Sequence, residues 1–348
     1  MTEQSPTAEH LSVAMTTKEA DNTSSSSSIE EFYFRCAVVF IGVVGTASNA
    51  LILYALVVSK QHKKHVLIVN QNALDLFSSF FLVVTYAVKL CNIRLTGTLG
   101  YWLCITILSE NVSWWGTNGS IINLAIITVY RYLKVVHPIW SRKWLRPWVI
   151  RASMAFAWFA GTVYNIIVVF VTGAVIDGVC YAYIITDGDL QRKVYGVWYI
   201  ASFYVIILVI FVYCYWRILV AIRRQASVMA GHSGATATAQ AQSNQIQSNV
   251  IKTMVLVSGF YAITWLPGNV YYLLSVLETN MTFADSRYYV ANFVSFCYIS
   301  ANPFIYATKF DPVRKVLPCK KSAVQPAEGA ESAGLQLASR AGQERPAN

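Results

Sequence analysis

Arg131 ends a long apolar stretch in VYRYLKVVHP, residues 129–138, with Tyr130 and Tyr132 on either side. A guanidinium stays charged and ordinarily seeks a carboxylate. Three more polar groups interrupt apolar runs: Asp75 in NQNALDLFSSFF, Asn49 in GTASNALILYALV, and Asn302 before Pro303 in ISANPFIYATKF. Such groups are expensive inside a membrane, so each reads as functional unless packing accounts for it. The same set also reads as a repair to a kinked helix, in which Pro303 frees a carbonyl and Asn302 satisfies it. Nothing is spaced for covalent or hydrolytic chemistry. The sequence has no zinc-spaced His/Cys cluster and no phosphate-cradling glycine loop, and His62, His65 and His137 fall in loops, so no enzymatic activity is expected.

These residues need a scaffold, and composition names its solvent. Of 348 residues, 55% are hydrophobic and 13% charged, with mean hydropathy +0.46. Soluble domains carry roughly a quarter charged residues, so this is a membrane-protein composition. Apolar runs near the length of a bilayer-crossing helix, about 20 residues, fall at 36–59, 66–90, 102–131, 149–173, 196–221, 250–277 and 288–308. The third contains the polar stretch SENVSWWGTNGS, 109–120; a polar helix survives in a bilayer when other helices surround it. The expected architecture is all-α, a bundle of seven transmembrane helices over 35–309.

Charge orients the bundle. Loop 60–65 carries Lys60, Lys63 and Lys64, loop 132–148 carries Lys134, Arg142, Lys143 and Arg146, and loop 222–249 carries Arg223 and Arg224, none with an acid. Residues 1–34 hold six acids against Lys18. Basic loops stay in the cytoplasm, so the N-terminus is expected outside, the C-terminus inside and the chain in the plasma membrane among lipid. The net charge of +10 is thereby assigned to loops rather than to nucleic acid. Residues 1–34 and 322–348 read as disordered tails. Residues 310–321 read as a short amphipathic helix on the inner leaflet, with Cys319 placed for palmitoylation. Asn22 and Asn280 head glycosylation sequons on the outer side. Asn111 and Asn118 also head sequons, but inside the third span.

The markers taken together carry a resemblance. Asn49, Asp75, Arg131, Trp158, Pro267 in TWLP and Pro303 in NPFIY, in this order over seven spans, resemble the rhodopsin-like G-protein-coupled receptors across about residues 36–320. The resemblance implies a receptor that passes the binding of an extracellular ligand to a heterotrimeric G protein. It implies an activation switch of Arg131, Tyr215 and Tyr306, with Trp265 beneath the ligand pocket and Pro267 and Pro303 as kinks. It also implies a polar cluster of Asn49, Asp75, Ser120 and Asn302 that holds sodium or water, with no required cofactor. Cys104 and Cys180 resemble the family's disulfide, with Cys91 as an alternative partner. Cys104 lies about two residues further from Arg131 than is usual, so the third span starts later or bulges.

Departures from the family pattern sharpen the expectations. Tyr130 stands where an acid usually precedes the arginine, and nothing acidic occurs from Arg217 through Lys252. Ile207 replaces the proline of span five, which predicts a milder bend. Phe296 stands where an opsin would carry its lysine, and Ser113 where an amine receptor would carry an aspartate. Glu110, one turn outward, is left as a displaced amine counter-ion. With Trp265 these residues make up the candidate pocket. Asp177-Gly178 between β-prone runs reads as a hairpin turn, and a hairpin lid held by Cys180 is similar to peptide-receptor members. A peptide ligand is therefore favoured over an amine or other small molecule, and a transporter is the more distant alternative.

Overall fold

The computed structural model describes residues 8–181, 189–229, 235–277 and 286–309; stretches 8–28, 164–172, 189–192, 226–229 and 235–248 and residues 250 and 309 are described as backbone only. Asn280, Cys319, the 310–321 segment and the C-terminal tail lie outside these residues, as does the side chain of Asn22.

The elements are α1 (Ala8–Val58), α2 (Val66–Leu90), α3 (Gly97–Leu103), a π turn (Cys104–Leu108), α4 (Asn111–Val136), α5 (Pro138–Trp144) and α6 (Pro147–Thr172). Then come β1 (Ala174–Ile176), β2 (Val179–Tyr181), α7 (Asp189–Ile200), a second π turn (Ala201–Val205), α8 (Ile206–Met229), α9 (Ala235–Leu277) and α10 (Ser286–Lys309). Among the described residues, Ile29–Val58, Val66–Leu90, Gly97–Val136 and Lys193–Gln225 are long and apolar enough to cross a membrane on composition alone. α1 extends through the N-terminal stretch read as disordered; no glycine or proline lies between Ala8 and Gly42 to stop it.

The rods close into a ring. α1 packs on α2 and α10, α10 on α9, and α9 on α7 and α8. α4 runs through the middle and touches α2, α6, α8 and α9. That position explains its polar sequence: Asn111, Ser113, Thr117, Asn118, Ser120 and Asn123 are all buried by neighbouring helices. Small residues let those helices approach. A Cβ at Gly161 of α6 would lie 2.6 Å from the Trp115 carbonyl oxygen and 2.8 Å from the Gly119 nitrogen, so here backbone meets backbone.

Span three is interrupted, as the spacing of Cys104 and Arg131 predicts. A π turn inserts a residue into a helix, and Ser109 N bonds Cys104 O five residues back at 2.9 Å. Glu110 then takes φ 62°, the left-handed region, before α4 begins. The polar segment that weakened this span supplies the freed carbonyls with donors. Ser109 Oγ and Asn111 Nδ2 donate to Ile105 O at 2.8 and 3.4 Å, and Thr85 Oγ1 of α2 donates to Ile107 O at 3.2 Å.

In span five a π turn ends two residues before Ile207, and Tyr261 Oη donates to Phe203 O within it at 2.5 Å. The hairpin is antiparallel with Val175 paired to Cys180, and Asp177 and Gly178 both take positive φ, 52° and 79°, as a primed turn requires. A Cys104–Cys180 disulfide ties it to the first π turn, while Cys91 is a free, exposed thiol.

The α4–α6 approach gives a prediction. Gly161→Ala forces backbone apart and should cost about 1–3 kcal/mol by overpacking. Gly259→Ala meets nothing within 4 Å and should be neutral or slightly stabilising, since alanine is the better helix former. Thermal melts of the two purified variants check this; equal melting temperatures would refute the contact.

Candidate functional site

Asp75 is fully buried, and its two carboxylate oxygens are served from different helices. Ser120 of α4 donates to Oδ1 at 2.5 Å, and Asn302 Nδ2 of α10 donates to Oδ2 at 2.9 Å. A carboxylate only accepts, so the Ser120 proton is committed and its lone pair must accept. Gln71 Nε2 supplies that bond. Gln71 Oε1 accepts from Asn123 Nδ2 at 2.8 Å, Asn123 Oδ1 accepts from Asn70 Nδ2 at 2.9 Å, and Asn70 Oδ1 accepts from Trp158 Nε1 at 3.0 Å. An indole only donates. The row thus runs one way, from a donor-only group on α6 to an acceptor-only group on α2, crossing between α2 and α4 on its way.

Asn49 is not in that row. Its Nδ2 donates to Gly45 O at 2.9 Å and to Ile299 O at 3.0 Å. Ile299 lies four residues before Pro303, so this is the carbonyl the proline frees. The sequence suggests Asn302 for that repair; Asn49 makes it, because the amide of Asn302 is held by Asp75.

Arg131 lies at the end of the bundle that carries the basic loops. It makes no ion pair among the described residues. Its guanidinium lies 5.8 Å from the centre of the Tyr130 ring, and Lys134 Nζ lies 4.6 Å over the same ring. Tyr215 is turned inward, sharing hydrogen bonds with Thr128 at 3.1 Å and Ser258 at 2.9 Å. Tyr306 is fully buried. Burial, then the charges of Arg131, Lys64 and Lys134, hold the pKa of His65 in the neighbouring loop down at about 4.

The predicted pocket residues separate at the hairpin end. Trp265 and Phe296 join an aromatic plug around Trp114, whose ring lies 5.8 Å from each. Ser113 is buried, and its carbonyl accepts from Ser78 Oγ at 2.8 Å. Glu110 instead lines a cavity of about 580 Å³ between α1, α2, α10 and the hairpin. Its Oε1 accepts from Lys89 Nζ at 2.5 Å and from Tyr86 Oη at 2.8 Å. The left-handed backbone at Glu110 costs about 1–3 kcal/mol in a non-glycine residue. The pair, with side chains 22% and 14% exposed, is buried enough to offset part of that.

Residues 48–306 match the family model described as 7 transmembrane receptor (rhodopsin family). The chain belongs to that family of membrane receptors. No curated protein matches it.

Several residues of this receptor's site escape a reading by family markers. Gln71, Asn123 and Asn70 complete the row between Trp158 and Asp75, yet only its ends are markers. Their signal in the sequence was a density of amides, Asn70, Gln71 and Asn72 in a row, within an apolar span. Lys89 sits at the end of α2, where a lysine ordinarily passes for a helix-end charge.

The row predicts a non-additive double variant. Asn123→Leu leaves Gln71 Oε1 and Asn70 Nδ2 unserved and should cost about 1–3 kcal/mol for each group left buried without a partner. Adding Gln71→Leu removes the Oε1 orphan but leaves the Ser120 lone pair unserved, so the double variant should lose less than the sum of the two single variants. Thermal melts check the cycle; simple additivity would break the row at this link.

His65 predicts a pH dependence. Its folded pKa, about 4, lies below its ordinary 6.5. The unfolded chain therefore binds the proton first, and the stability contribution, complete above about 6.5, is lost as pH falls toward 4. His65→Gln should melt with a flatter pH profile across that window. Parallel profiles for parent and variant would dismiss the effect.

Proposed function

We propose that this receptor binds an extracellular peptide and passes the event to a heterotrimeric G protein. The observation that carries the reading is the family membership of 48–306, with Arg131 at the basic-loop end and in no ion pair among the described residues. In this reading the N-terminus and hairpin face outward and the basic loops face the cytoplasm. The disulfide-tied hairpin favours a peptide. Glu110, already held by Lys89 and Tyr86, is poorly disposed to serve as an amine counter-ion.

Ligand binding shifts a two-state bundle. The proline-containing α9, with Pro267 beside Trp265 under the plug, is the element expected to move. At its other end Tyr215, bonded to both α4 and α9, is the latch to be exchanged. The carboxylate of Asp75, the Ser120 hydroxyl and Asn302 Oδ1, which lacks a partner among the described residues, fit a hard monovalent cation such as sodium. When bound, that ion supplies a counter-charge for Asp75 and favours one bundle state. Asn49 does not belong to that set, since its amide holds backbone.

Tyr130 sets the resting level. In place of a carboxylate it offers a ring and a neutral hydroxyl, and charge-assisted bonds are roughly twice as strong as neutral ones. Losing about 1.4 kcal/mol of restraint raises the on/off ratio about tenfold. Ligand-free signalling should therefore be high and fall severalfold in Tyr130→Asp. The measurement is G-protein activation in cells at matched surface expression. Basal activity no higher in the parent than in Tyr130→Asp would reject the idea, and full coupling in Arg131→Ala would reject the G-protein reading itself.

A further inference from the structure

We infer that the cavity at the hairpin end is the ligand site, and that it takes the free carboxylate end of a peptide with aromatic or apolar terminal side chains. The inference deepens the peptide reading and rests on it for the rest of the ligand.

The argument begins with what the cavity excludes. A ligand entering past the hairpin meets the aromatic plug of Trp114, Trp265 and Phe296 across the bundle's middle. The space of about 580 Å³ lies beside that plug, toward α1, α2 and α10, and falls within the range of small-ligand sites. Its wall is aromatic: Phe34 stacks on Tyr289 at 4.8 Å and meets Tyr86 edge-on at 5.7 Å. Such a wall suits ring or branched side chains.

Charge then selects the end group. Three cations and two carboxylates line the space. Arg35 is committed, to Glu31 at 2.5 Å, Lys89 O at 2.7 Å and Asn92 Oδ1 at 3.3 Å. Lys89 spends one proton on Glu110 and lies 4.7 Å over the Tyr86 ring. Arg94 makes no hydrogen bond or ion pair among the described residues, so its guanidinium fork is open. Its backbone is anchored at the cavity wall, because the next residue, Leu95, donates its N–H to Gly178 O in the hairpin turn at 3.0 Å, and both of these residues line the space. An arriving carboxylate finds a planar, bidentate donor in Arg94 and a second cation in Lys89. An arriving ammonium finds two carboxylates already paired and a surplus positive charge.

The same geometry links binding to span three. A carboxylate that draws Lys89 away takes a donor from Glu110, the residue held at positive φ between the π turn and α4. Occupancy is thus registered at the break in the central helix.

The test uses the full-length protein in lipid nanodiscs. The probes are two tetrapeptide pools of the same composition ending in Phe, Trp or Leu, one as free acids and one as C-terminal amides. Thermal shift is read against concentration. The acids should raise the melting temperature, and amidation or Arg94→Gln should weaken the apparent affinity roughly tenfold or more. Arg94 is exposed and without a partner among the described residues, so the variant should fold. Amides binding as well as acids, acids binding Arg94→Gln as tightly as the parent, or no shift from any acid at millimolar concentration would each overturn the assignment. A shift from sodium oleate that Arg94→Gln abolishes, with none from peptide acids, keeps the anion site and overturns its peptide occupant. The functional reading fails separately: acids that bind the nanodisc protein but trigger no G-protein activation in cells leave the cavity standing and remove the coupling.

Discussion

A carboxylate in the middle of a bilayer must be fed hydrogen bonds from somewhere, and there is no water to supply them at will. Asp75 obtains them from α4 and α10, and that demand organises the interior of the receptor. Ser120 can donate only if something else satisfies its lone pair. The requirement passes to Gln71, then Asn123, then Asn70, and stops at the indole of Trp158, which has nothing to accept. α4 and α6 are thereby held to α2 by polar contacts that permit one direction. In lipid, where apolar side chains gain little from choosing each other over solvent, such contacts and close packing at glycines set which helices are neighbours.

Backbone irregularity poses the same problem in another form. Both π turns, the break at Glu110 and Pro303 release carbonyls that a regular helix would use. Side chains from another helix or the same segment gather at these places: Asn49 donates to the freed carbonyl of Ile299, Ser109 and Asn111 donate to that of Ile105, and Thr85 and Tyr261 reach the carbonyls of Ile107 and Phe203 in the π turns. The irregular places are therefore also the places where helices are joined, and a change of helix geometry there cannot stay local.

Much of this was legible in the sequence. Apolar length located the spans, and the Asp-Gly dipeptide located the hairpin turn, because few residues tolerate its backbone. The two additional residues between Cys104 and Arg131 pointed to a later start or a bulge, and the π turn is the bulge. Other features were hidden for physical reasons. Asn302 and Asn49 are both asparagines beside freed carbonyls, and only the packing of α1 on α10 decides which amide reaches Ile299. Gln71 and Asn123 look like surface residues of an ordinary helix until α4 is seen to be enclosed on all sides. The pocket separated because Ser113, Trp265 and Phe296 were placed by a frame counted along regular helices, whereas Trp114 fills the bundle's middle and Glu110 sits where the helix is not regular.

An additional residue turns everything beyond it about the helix axis by roughly 100°, yet Cys104 still meets the hairpin and Arg131 still lies at the opposite end. The π turn and the left-handed residue absorb the insertion between them, so neither landmark had to move. A count of regular helical turns carried from Arg131 toward the hairpin holds as far as Asn111 and fails before it, where the backbone leaves the α-helix. For a lineage, such a joint is a place where a membrane helix can gain or lose residues without redrawing either of its ends.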